Sequence, residues 1–199
     1  MRYLLFILSG LFFFIQASAQ KNSFVADSIG YAAIKQCEQT FPQFYREFEY
    51  IKAQDTLIKK FVFVQQPGTG PAFASPKGVI TINISYLNKP KPNFDDNRLI
   101  VVLYHEVGHL HYFLTIDRTK WNPEDSEKAA FEYSLLKTKE MAEKNDCLPL
   151  ATGLKFMKLR SMSNDLQDAH VRALKRMVNE PLYTGYVKYV SSKCNMTIK

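Results

Sequence analysis

Between Arg98 and Leu114 the apolar residues Leu99, Val102, Leu103, Val107, Leu110 and Leu114 recur at steps of three and four. Such spacing lines one side of an α-helix and sets it against a core. Asn93, Asp95 and Asp96 are the candidates to cap its start. A second helix opens at Asn122-Pro123-Glu124-Asp125 and is expected to run to about Lys144. Its start combines a capping side chain, a proline at the first position and acids in the first turn. Ser23–Lys52 carries a helical pattern too, with Ile29, Ala33, Cys37, Phe44 and Phe48 among its apolar positions and Pro42 as a kink or break. Asn164–Asn179 reads as an amphipathic helix.

Strand patterns occur twice before the Arg98–Leu114 helix. Lys60–Gln65 is a short apolar run, and Gly78–Ser85 alternates Val79, Thr81, Asn83 against Ile80, Ile82, Ile84. The proline- and glycine-rich stretch Pro67–Pro76 between them is expected to be loop or turn. These elements predict an α+β fold, a small mixed sheet with an edge strand packed on the Arg98–Leu114 helix. Gly78–Ser85 reads either as that edge, its backbone free to pair with an extended peptide, or as an ordinary sheet strand with one wet face.

The N-terminus has a different pattern. Met1–Gln20 has a basic start at Arg2, an apolar stretch Leu4–Ile15 and the small-residue sequence Ala17-Ser18-Ala19. It reads as a secretory signal peptide, too short in its apolar part for a membrane span of about 20 residues. The expected mature chain, 21–199, is one domain with no membrane span, exported to the periplasm or secreted. Its core draws on the chain's 15 Phe and 11 Tyr. The net charge of +7 comes from scattered Lys and Arg, with mild clusters at Lys155–Arg160 and the C-terminus. A solvated basic surface accounts for that charge, and no nucleic-acid motif accompanies it. Of the three cysteines, Cys37, Cys147 and Cys194, one disulfide is expected in an oxidising compartment, with Cys147–Cys194 a plausible pairing that the spacing alone leaves open.

The chemistry lies at His105-Glu106-Val107-Gly108-His109. Two histidines at i and i+4 stand one turn apart on one helix face, so both imidazoles can reach one zinc ion at roughly 2.0–2.1 Å. Glu106, between them, is placed to act as a general base on water rather than as a ligand. Burying two imidazoles and a carboxylate in so apolar a stretch is costly without partners, and a metal removes that cost. His111 points to another face and reads as structural or exposed. A catalytic zinc needs three protein ligands and one open position. Glu124, Glu127 and Glu132 on the second helix are candidates for the third, with Asp117 on the connecting loop weaker. Glu127, 18 residues past His109, leaves room for a turn and the return of a second helix.

HEVGH followed by EKAAFEYS from Glu127 resembles the gluzincin pattern, HExxH plus a glutamate on a following helix. Ala130, Tyr133 and Ser134 make the second segment similar to the CAAX-prenyl-protease and heat-shock-protease family, in particular its soluble minimal relatives. Asp168-Ala169-His170, with Arg176 six residues on, resembles that family's third motif, and the likeness spans roughly Gly78–Val178. The resemblance implies a zincin-like fold, His105, His109 and Glu127 as zinc ligands, Glu106 as general base, and His170 helping to hold the oxyanion. Tyr112, Tyr183 and Tyr186 are substitutes for His170 in that role. Phe131 stands where the family has an Asp that orients a ligand histidine, and Val171 where it has Pro. The expected function is a zinc-dependent metallopeptidase acting on peptide or protein substrates. The alternative is an exported zinc-binding or interaction protein with weak or no catalysis.

Overall fold

A computed structural model of the chain describes residues 23–198, so the expected leader Met1–Gln20 lies outside the described residues. The first long helical pattern is two helices, α1 (Asp27–Thr40) and α2 (Pro42–Gln54). Pro42 ends one and begins the next, because it donates no backbone hydrogen bond and its fixed φ suits a first turn. The start of α2 is capped from a distance, as the Asp96 carboxylate accepts from Gln43 N at 3.0 Å and Phe44 N at 2.7 Å.

Three strands follow, β1 (Lys60–Val64), β2 (Ala72–Ser75) and β3 (Val79–Asn83), in the order β1-β3-β2. β3 runs parallel to β1 and antiparallel to β2, so the sheet is mixed. Two expectations are corrected here. The Gly78–Ser85 segment is the central strand, and the stretch Pro67–Pro76 contains the edge strand β2. Its Ala-Phe-Ala-Ser sequence is too short and too poor in β-branched residues to signal a strand by itself. Tertiary contacts create it. The turn Ser75-Pro76-Lys77-Gly78 closes with Gly78 N donating to Ser75 O at 3.0 Å. Gly78 sits at φ +78° there, where its missing Cβ would come within 2.8 Å of the Leu57 carbonyl. The buried Asn83 amide holds the incoming loop by donating to Gln66 O (2.7 Å) and Gly70 O (3.2 Å).

The helix pair comes next: α3 (Asp96–Thr115), capped by Asp95, and α4 (Pro123–Ala142), capped by Asn122. Every residue of α3 from Leu99 to Leu110 is buried, rather than one face of it. One core, built on Phe41, Phe48, Phe63, Ile80 and Ile100, joins α1, α2 and the sheet to α3. A second, including Phe131, Leu135, Leu150, Met157 and Leu174, gathers α4 with α5 (Leu148–Ser161), α6 (Ala169–Met177) and α7 (Pro181–Lys193). The Asn164–Asn179 segment thus yields a shorter helix than its pattern suggests. A Cys147–Cys194 disulfide ties the start of α5 to the end of α7, and Cys37 is free and buried. The architecture is α+β. No helix among the described residues is long and apolar enough to cross a membrane.

Candidate metal centre

Gly108 sets the geometry of the seam between α3 and α4. A Cβ at this position would lie 2.7 Å from Ala130 Cα and 2.9 Å from Tyr133 Cβ. The two backbones therefore approach more closely than any side-chain-bearing residue permits. Glu127, one turn before Ala130, is thereby carried over the face of α3 that presents His105 and His109.

Three side-chain donors converge there. His105 Nε2 and His109 Nε2 are 3.1 Å apart, and Glu127 Oε2 lies 3.2 Å from the first and 3.6 Å from the second. Ligands about 2.0–2.1 Å from a tetrahedral zinc ion stand about 3.3–3.4 Å from one another. The three separations bracket that value. His170 Nε2 also lies 3.2 Å from Glu127 Oε2, yet this buried oxygen has no aligned hydrogen-bond donor. A carboxylate oxygen ringed by three imidazoles without a proper hydrogen bond is what a shared cation would explain. Among the described residues, His105, His109 and Glu127 are the one cluster of His, Cys, Asp or Glu with ligand atoms close enough to hold an ion.

The other glutamates are engaged elsewhere. Glu124 binds Arg172 (3.2 Å) and Arg176 (2.9 Å), pinning α6 to the start of α4. Glu132 pairs with Lys128, and Asp117 caps its own turn by accepting from Thr119 N at 2.8 Å. His111 stacks on Tyr133 away from the cluster. It lines a larger cleft, about 730 Å³, between α2, α3 and α4 that holds none of the candidate ligands.

Electrostatics set the candidate ligands apart. Burial pushes the His105 imidazole down to about 4, leaving it neutral at neutral pH. Burial also acts downward on His109, but the adjoining Glu127 and Glu106 outweigh it and its net shift is upward. For Glu127 burial acts upward, and the neighbouring histidines overcome it and hold the carboxyl well below the ordinary range. Glu106 is the contrasting carboxylate. Burial first, then the charge of Glu127, pushes it up to about 7, against the pull of His109 and a hydrogen bond from the Ala74 backbone.

Supporting contacts are uneven. His109 Nδ1 meets Ser126 Oγ at 2.8 Å, which fixes its ring. His105 Nδ1 is buried without a partner, its ring lying against Phe131 with centroids 4.3 Å apart. Ser126 was not picked out from the sequence, because a serine in the first turn of a helix ordinarily signals only capping. β2 was missed as well, although Ala74 touches Glu106 from it. His170 sits at the mouth of the cluster. Asp168 Oδ1 accepts a hydrogen bond from the His170 backbone N at 2.8 Å and lies 2.9 Å from His170 Nδ1, while Arg160 holds the same carboxylate. That pairing assigns the proton to Nδ1 and aims Nε2 at the cluster. Tyr183 and Tyr186 lie in the α5–α7 core, and the Tyr112 hydroxyl accepts from Asn122 N at 3.0 Å. Of these tyrosines, Tyr112 lines the cleft with Glu106, Glu127 and His170.

The cluster opens on a cleft of about 470 Å³ bounded by β2 on one side and the loop into α4 on the other. Comparison of the chain with family models, curated proteins and solved structures returned no match.

Proposed function

We propose that this chain is a zinc-dependent peptidase on a zincin-like scaffold, exported by its leader. The observation that carries the reading is the His105–His109–Glu127 donor triangle, with edges of 3.1, 3.2 and 3.6 Å, beside a buried Glu106 that is not part of it. The donor set of two imidazoles and one carboxylate suits catalytic zinc and leaves a fourth position open. When bound, zinc lowers the pKa of a water toward about 7 and polarises a carbonyl.

The chain's own residues supply the rest. Glu106, raised to about 7, accepts the proton of the attacking water and returns it to the leaving amine. β2 is an edge strand whose outer side flanks the cleft, so an extended peptide can pair with its backbone. That role passes to β2 from the central strand β3. His170, oriented by Asp168, is placed to donate from Nε2 to a developing oxyanion when protonated.

A second reading, a zinc-binding protein with little catalysis, is favoured by one observation: His105 Nδ1 lacks the partner that ordinarily orients a ligand histidine. Zinc content of the purified protein, with Glu106→Gln and His109→Ala measured beside it, decides the matter. We expect about one equivalent of zinc in the wild type and in Glu106→Gln, with peptidase activity lost in the latter, and no zinc in His109→Ala. Full activity in Glu106→Gln would remove the base, and a zinc-free wild type would remove the metal centre.

A further inference from the structure

The cleft wall beyond the metal-ligand cluster is aromatic. From His109 outward, Phe113 stacks one turn on with ring centroids 6.0 Å apart and planes within 16°, and Trp121 lies 5.0 Å beyond Phe113. The indole is fixed rather than loose. Its Nε1 donates to Ile116 O at 3.1 Å, and the Arg118 guanidinium sits 5.3 Å from the ring centroid. Across the cleft, Phe73 projects from β2 with half of its surface exposed. A phenylalanine at an exposed strand position beside a functional cleft leaves apolar surface open to a ligand. Among the described residues, the carboxylates and imidazoles lining this cleft are Glu106, His109, Glu127 and His170, all in or beside the cluster, and no Lys or Arg lines it. Beyond those four groups the described lining carries no charge, and the nearby Arg118 guanidinium already sits over the Trp121 ring, so a charged side chain buried against the wall would go largely uncompensated.

We propose that Phe113, Trp121 and Phe73 form a specificity pocket that selects a large apolar side chain, aromatic or leucine-like, next to the bond presented to the metal centre. This deepens the peptidase reading and rests on it for the word "bond", but the pocket itself makes a binding claim that stands apart from catalysis. Two rigid aromatic faces meeting at an angle offer an apolar side chain edge and face contacts at little entropic cost. They offer an ammonium or carboxylate group no hydrogen-bonding partner.

The molecule carries its own reporter, since Trp121 is the only tryptophan in the chain. Zinc-loaded Glu106→Gln protein is titrated with short N-acetylated, C-amidated peptides carrying Phe, Leu, Ala, Lys or Glu at one central position, and Trp121 emission is followed. Phe and Leu peptides are expected to shift the emission and to bind about tenfold tighter or more than the Ala, Lys and Glu peptides. Phe113→Ala, checked for zinc content, should narrow that gap. Trp121→Ala, read by calorimetry, should do the same. Equal affinities across the panel, tighter binding of Lys or Glu, or no emission change with any peptide would overturn the pocket. Running the same peptides with wild-type protein separates the two claims. Cleavage without apolar preference sinks the pocket and leaves the peptidase. Apolar preference in binding with no cleavage sinks the peptidase and leaves the pocket.

Discussion

At the residue scale, Glu106 and Glu127 are two carboxylates that both act on His109 yet stand in opposite environments. Burial wins at Glu106 and lifts it to about 7, whereas the imidazoles win at Glu127 and hold it ionised. In the proposed peptidase that separation divides base from ligand. Replacing Glu106 by Gln should lower kcat by roughly 10²–10⁴-fold with zinc retained, as read by peptide hydrolysis and metal analysis. Ser126→Ala removes the partner of His109 Nδ1 and should weaken zinc binding by about 10–100-fold in competition with a chelator. The pH dependence follows from His109. Its pKa is raised, so as pH falls through that value the imidazole takes up a proton that zinc must displace. Affinity should then decline by up to about tenfold per pH unit on the acid side and level off on the alkaline side. His105, already down at about 4, adds to the slope only in stronger acid. A zinc affinity flat from neutral pH to pH 5 would contradict the ligand assignment of His109.

At the element scale, the site depends on how closely α3 and α4 approach. Gly108→Ala would set a methyl 2.7 Å from the Ala130 backbone, a contact that only movement of one helix relieves. We expect a loss of about 1–3 kcal/mol in stability, with a fall in zinc affinity as Glu127 withdraws from the histidines. Chemical denaturation with and without zinc measures both. The helices α3 and α4 were legible from their patterns, whereas α5 and α7 were not read from the sequence. Asn122-Pro123 starts α4 where the capping chemistry placed it, and the i, i+4 histidines share one face of α3. β2 was not legible, because four residues of low strand propensity acquire that conformation only by pairing with β3 and packing on α3. The edge role followed the same course, since strand order in a sheet is a long-range property that alternation within one strand does not carry.

At the scale of the whole molecule, the His105–His109–Glu127 cluster sits on the seam between two cores, one shared by the sheet and α1–α3, the other by α4–α7. The Cys147–Cys194 disulfide spans 47 residues of the second. A crosslink closing a loop of that length contributes about 4 kcal/mol by the chain-entropy relation. Cys147→Ser with Cys194→Ser should lower the denaturation midpoint accordingly, and a midpoint unchanged by reduction would mean that the bond does not form in solution. Local sequence alone determined the starts of α3 and α4, the break at Pro42 and the pairing of His105 with His109 around Glu106, because each follows from the period of a helix or the chemistry of its first turn. Choosing Glu127 over Glu124 and Glu132, bringing in Ser126 and His170, and making β2 the edge were decisions of the tertiary structure. Each depends on which surfaces meet across 17 or more residues of chain, and the missing side chain of Gly108 sets how closely the helices cross there.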